Sequence, residues 1–120
     1  MIILALRLAY QPSANPSTLT AFATQSAKLV SFKASVEQNK IFLHWSVNEN
    51  QSADQFTVEK SADGRNFQVA ALAFGSDRPG IGEYTFYEKA GNRKTSYRIK
   101  LVNKDHKVEY SNIISVDPSV

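Results

Sequence analysis

The chemistry open to this chain is bounded by a short inventory of side chains. Its only imidazoles are His44 and His106, and it has no cysteine. The missing thiols exclude disulfides, thiol nucleophiles, CxxC redox pairs, iron–sulfur clusters and cysteine-ligated zinc. The two histidines fall in different segments with neither HxH nor HExxH spacing, so the sequence assembles no zinc set. There is no GxSxG elbow, and a serine nucleophile would need a histidine oriented by a carboxylate. Gly80-Ile81-Gly82 is a lone GxG with no helix after it, which makes no phosphate cradle. Asp54, Asp63, Asp77 and Asp105 each stand alone, whereas a calcium loop needs acidic residues at alternate positions. Asn50-Gln51-Ser52 matches the glycosylation sequon, a triplet frequent by chance. These residues point to no catalytic centre, cofactor or metal, and the expectation is a chain that is not an enzyme.

The elements that would position any such residue are strands. From residue 29 onward apolar residues recur at every second position almost everywhere outside the loops, the period of a strand with one wet face. Val30, Phe32, Ala34 and Val36 alternate with polar residues; Gln38-Asn39 is a tight turn, since Asn tolerates left-handed backbone. In the second strand, 40–47, Ile41, Leu43, Trp45 and Val47 point one way and Phe42, His44 and Ser46 the other. The third, 55–61, buries Phe56 and Val58. The Asp63-Gly64 turn returns the chain into 66–73, with Phe67, Val69 and Ala71 expected inward. A Gly/Pro-rich loop at 75–82 precedes a fifth strand, 83–87, with Tyr84 and Phe86 inward. A sixth, 95–102, places Tyr97, Ile99 and Leu101 inside, and a seventh, 107–116, closes the sheet. Seven short alternating strands with no convincing helix predict an all-β, seven-stranded antiparallel sandwich or small barrel. Trp45 brings the largest apolar side chain to the space between sheets.

Several blocks also resemble a known family. Ile41-Phe42-Leu43-His44-Trp45 resembles the second strand of fibronectin type III domains, and the block from Phe56 to Phe67 is similar to their third strand and following turn. Thr95-Ser96-Tyr97-Arg98-Ile99-Lys100-Leu101-Val102-Asn103 matches their sixth strand. Together with Leu29-Val30-Ser31-Phe32-Lys33-Ala34 and Tyr110-Ser111-Asn112-Ile113-Ile114-Ser115-Val116, these blocks look like a module found near the C-termini of large exported Bacteroidetes-type proteins, commonly before a type IX secretion sorting region. The resemblance implies an immunoglobulin-like sandwich over residues 29–117, with a tail at 118–120. It implies a secreted or cell-surface location and a non-catalytic spacer or protein-interaction role. It also implies that Trp45, Phe56 and Tyr97 form the structural core, with the Tyr97 hydroxyl bonding backbone of the preceding loop as a tyrosine corner; a plain core tyrosine with a wet hydroxyl is the other reading of that residue. A carbohydrate-binding module of the same architecture is the alternative. The turn before the last strand, Asn103-Lys104-Asp105-His106-Lys107, lacks the glycine usual in the family.

Charge and surface pattern narrow the partners. The 120 residues hold 14 Lys+Arg against 11 Asp+Glu, a formal +3. Six bases and one acid lie between Arg93 and Lys107, so the excess belongs to one hairpin. Arg98 and Lys100 alternate there with inward residues, and Glu59 on the neighbouring strand should pair with one of them. That is a solvated sheet face and not a nucleic-acid stripe. No apolar run reaches the ~20 residues of a membrane span. Residues 1–28 read either as a degenerate leader or as an arm packing on the domain or a partner. Phe42 and His44 should lie beside Thr85 and Tyr87 on an outward face, giving two aromatics where water is expected. That face is the candidate interaction surface. Its occupants would be a protein partner or neighbouring domains of a longer chain, and an open edge strand would allow self-association.

Overall fold

A computed structural model of the chain describes residues 25–118. The leader and arm readings of residues 1–24, and the last two residues of the tail, lie outside the described residues. Period-two alternation becomes eight strands: β1 (Leu29–Glu37), β2 (Lys40–Val47), β3 (Ala53–Ser61), β4 (Gln68–Phe74), β5 (Gly82–Lys89), β6 (Thr95–Asn103), β7 (Val108–Tyr110) and β8 (Ile114–Val116). Among the described residues the only helical element is a 3-10 turn, Asn50–Ser52. The strands form two antiparallel sheets, one ordered β1-β2-β5 and the other β4-β3-β6-β7, with β8 also paired to β6. The chain is therefore all-β.

The count of eight strands corrects the expected seven, and the cause is one residue. Lys100 lies opposite Tyr110, yet Tyr97 lies opposite Ile114, so the last strand carries one residue more than its partner. Ser111 sits at that bulge. Its N–H donates to the Ile99 carbonyl and its hydroxyl accepts from the Ile99 N–H, both at 2.8 Å. A side chain thus replaces one ladder bond, and the expected strand 107–116 divides.

A second bulge changes which way β4 faces. Val58 pairs with Ala71 but Glu59 with Val69, leaving Ala70 as the extra residue. The side chains beyond it exchange faces. Val69, expected inward, is 62% exposed, and Phe67 lies on the outer face with its ring 4.1 Å from the Arg98 guanidinium carbon.

Between the sheets Trp45, Phe56 and Tyr97 are fully buried with Ile41, Leu43, Val47, Val58, Ile99 and Leu101. The Trp45 ring stacks on Tyr84 at 5.7 Å and lies 6.0 Å from Phe56. Its indole N–H finds no acceptor among the described residues, a cost the surrounding apolar contacts offset. The Tyr97 hydroxyl departs from the expected tyrosine corner, because it donates to the Glu88 carboxylate at 2.5 Å instead of to loop backbone. Glu88 lies opposite the inward Ile41 and also accepts from Lys60 at 3.0 Å, closing one end of the core.

The packed unit also extends beyond the expected boundary at Leu29. Ala27 is buried in the core, and its N–H and C=O are both bonded by the Asn103 amide, at 2.7 and 3.2 Å. Lys28 exchanges bonds with Asn48, and Ser26 donates to Asp105. Two turns take their backbone from unusual residues. Gln38 and Asn39 have φ of 50° and 65°, the left-handed pair of a two-residue hairpin. In the turn that lacks glycine, His106 adopts φ 72°.

Candidate interaction face

The register of β2 on β5 is the determining geometry. Phe42 lies opposite Tyr87 and His44 opposite Thr85, so the four side chains leave the outer face of the small sheet as a square. The Phe42 and Tyr87 rings are 5.6 Å apart with planes at 30°. Tyr87 is 59% exposed, and the Lys40 ammonium stands 5.2 Å from its ring centroid. These are adjacent rings on the outer sheet face, Phe42 half-buried and Tyr87 exposed, with a cation beside Tyr87.

His44 is fixed at both nitrogens. Nδ1 is 3.1 Å from the Thr85 hydroxyl and Nε2 is 3.3 Å from the Glu83 carboxylate. An imidazole donating from Nε2 to Glu83 leaves Nδ1 to accept the threonine proton. The connectivity hydroxyl, imidazole, carboxylate is that of a nucleophile relay. Its setting differs: the three groups lie on an open sheet surface, and the neighbouring backbone belongs to the β2–β5 ladder. A relay of that kind needs preorganised donors aimed at an oxyanion in a site that excludes water. The arrangement orders the face and gives it a polar half beside an aromatic half.

On the outer face of the larger sheet one base of the basic hairpin, Arg98, is paired within the fold. Glu59 lies opposite Arg98, with Arg98 Nε 2.7 Å from a Glu59 oxygen. The guanidinium carbon also lies 4.1 Å from the Phe67 ring centroid and 4.4 Å from that of Tyr110. The expected pairing with Glu59 is present, and the two flanking rings were not visible in the pattern. The bulge that turns Phe67 outward supplies one of them.

Asn50, the sequon residue, has a structural role in the folded chain. It is 3% exposed. Its Nδ2 donates to the Ser76 hydroxyl at 2.7 Å and its Oδ1 accepts from Tyr84 at 2.5 Å. Its backbone N–H donates to Gly80 at 2.8 Å, so one side chain and one amide hold the loop between β4 and β5. A glycosyl transferase would find neither a free amide nor access to it. A Cβ at Gly82 would fall 2.4 Å from the Asn50 side-chain oxygen, which explains glycine there. Among the described residues no cluster of His, Cys, Asp or Glu could hold a metal ion, and no helix is long and apolar enough to cross a membrane.

Neither a family model nor a curated protein sequence matches the chain. Solved structures do resemble it. Pectate lyase Pel3 from Pectobacterium carotovorum matches with a TM-score of 0.57 at 21% identity, over 80% of this chain and 28% of that one. Pectate lyase PelI from Erwinia chrysanthemi, solved in complex with tetragalacturonic acid, gives 0.58 at 16% identity, over 77% and 28%. OgpA from Akkermansia muciniphila gives 0.57 at 7% identity, over 82% and 30%. The likeness is one of fold, and the chain spans less than a third of each of these longer chains.

Proposed function

We propose that this chain is a fibronectin type III-like, immunoglobulin-like sandwich acting as a non-catalytic spacer and protein-interaction module of an exported or cell-surface protein. The strand order supports the fold assignment: a three-stranded β1-β2-β5 sheet faces a sheet ordered β4-β3-β6, closed by the bulged final pair. The modular role is supported by the matches, each covering 28–30% of a longer chain, as expected of a unit reused beside other domains. The observation that carries the interaction role is the Phe42, His44, Thr85, Tyr87 square on the outer sheet face, ordered by its own hydrogen bonds and ring contact, with Thr85 and Tyr87 exposed and Phe42 and His44 half-buried. Partners would be a protein or neighbouring domains of a longer chain, with no nucleic acid.

Two experiments test this reading. Fractionation of native cells should place the chain, probed with an antibody to residues 29–117, in the exported or surface fraction; a purely cytosolic signal overturns the location. Assay of the purified chain on ester and polygalacturonate substrates should show no turnover that Thr85→Ala abolishes. A Thr85-dependent rate would overturn the non-catalytic assignment.

A carbohydrate-binding role is the second reading. It is favoured by the Phe42–Tyr87 pair with Lys40 beside it, and by the tetragalacturonic acid bound in the PelI structure. An acidic oligosaccharide would stack on the rings and meet the ammonium. Titration of tetragalacturonate while following the Tyr87 ring resonances separates the readings: saturable shifts support sugar binding, and their absence at millimolar ligand removes it.

A further inference from the structure

β4 forms one edge of the larger sheet. Among the described residues β4 ends the order β4-β3-β6-β7 and is paired on one side only. Its sequence, QVAALAF, contains no charge and no proline. Native edge strands are usually protected from pairing by charges, proline or bulges that twist the edge away. The one bulge here lies at Ala70, so the stretch from Ala71 to Phe74 keeps regular pairing with β3. Leu72 and Phe74 are 55% and 66% exposed on the outer face. The backbone of the same two residues points to the open edge. Gly75 N–H donates to the Asp54 carbonyl at 3.0 Å, and alternation then turns Ala73 and Ala71 toward β3 and Leu72 and Phe74 away from it. Two adjacent sites therefore present unpaired backbone groups together with outward apolar side chains.

We infer that this edge pairs with β4 of a second copy of the chain, making one continuous sheet across a two-fold axis. The occupant follows from self-complementarity. An antiparallel two-fold at Ala73 sets Leu72 of one copy opposite Phe74 of the other, as a pair that exchanges both backbone bonds, and does so twice. Both side chains remain on the outer face, where they cover each other. No like charges meet, because residues 69–74 carry none. The edge strands of the other sheet differ: β1 carries Lys33 and Glu37, and β5 carries Glu83, Glu88 and Lys89. The area is small. Seven-residue strands with a few apolar side chains fall at or below the ~1,200 Å² at the low end of stable interfaces, so the association is weak and concentration-dependent. This pairing stands apart from whatever the Phe42–Tyr87 face binds.

The test is sedimentation velocity of the full chain across micromolar to near-millimolar concentration, with Leu72→Lys and Phe74→Lys as variants. The wild type should shift reversibly from monomer toward dimer. Each lysine should weaken that shift at least about tenfold, because the two-fold duplicates the buried charge. Both positions are exposed, so an unchanged thermal midpoint confirms that the variants fold. Three results would overturn the inference. One is a monomer at every concentration; another is a dimer indifferent to both lysines. The third is a monomer whose Leu72 and Phe74 amides resist hydrogen exchange at low concentration, which would mean that the chain's own upstream segment covers the edge.

Discussion

The Tyr97 hydroxyl joins the two sheets at one end through a carboxylate. Burial and the neighbouring Glu88 hold its ionisation well above that of a free tyrosine, so it stays a donor at all ordinary pH. Tyr97→Phe leaves Glu88 with Lys60 alone and should cost about 1 kcal/mol. An unchanged thermal midpoint would remove the bond from the account. Asp63 shows the opposite effect. Backbone N–H groups of Asn66 and Arg65, then the Ser61 hydroxyl and the Asn66 amide, hold its carboxylate well below the ordinary 3.8. A group easier to ionise folded than unfolded adds stability above its unfolded value and loses it as pH falls through its folded value. Acid unfolding should therefore steepen below pH 3.8, and Asp63→Asn should flatten that dependence; parallel curves for the two proteins would refute it. His106 occupies a backbone conformation that favours glycine. The sequence showed a turn without its usual glycine, and the structure puts the imidazole-bearing residue at φ 72°. Non-glycine residues are strained there, so His106→Gly should raise stability by about 0.5–1 kcal/mol in chemical denaturation. A loss of stability would mean that the side chain itself contributes.

At the scale of elements, the strands and their inward faces were legible wherever alternation ran unbroken. β2 and β5 show this best, and it is why Phe42, His44, Thr85 and Tyr87 could be placed together before any register was known. Alternation fails at bulges. One added residue leaves composition and hydrophobicity unchanged but reverses every later side chain, and that reversal put Phe67 and Val69 outside. The consequence is a pair of rings flanking Arg98, whose side chain is only 27% exposed beside an even less exposed Glu59. Arg98→Ala should cost about 1–2 kcal/mol, combining the ion pair and the stacked guanidinium. Arg98→Lys should recover less than half, because an ammonium cannot stack as a plane. Full recovery by lysine would assign the effect to charge alone. Side-chain to backbone bonds were the other illegible class. Nothing in the spacing of Asn103 and Ala27, 76 residues apart, announces their paired bonds.

For the whole molecule, the two sheets are closed unequally. β1 packs against β8 along one side, and no comparable contact joins β4 to β5 along the other. β3 and β6 lie inside the larger sheet, each paired on both flanks, and contribute Phe56, Val58, Ile99 and Leu101 to the buried core. Local opening costs least where backbone bonds face solvent and few apolar contacts must be broken. In dilute, monomeric protein the β3 and β6 amides should therefore exchange slowest, near the global unfolding limit. The Leu72 and Phe74 amides, pointing to the open edge, should exchange far faster than those of β3 and β6. Ala27 should be protected far more than its neighbour Gln25, because its N–H is bound by a buried asparagine. Asn103→Ala, which leaves the Ala27 N–H and C=O unsatisfied, should cost about 2 kcal/mol and abolish that protection selectively. Exchange read residue by residue by NMR checks each protection pattern, and chemical denaturation checks the cost of Asn103→Ala. If Leu72 and Phe74 exchanged as slowly as Ile99 in dilute monomer, the larger sheet would not end at β4, and the asymmetry of closure would have to be abandoned.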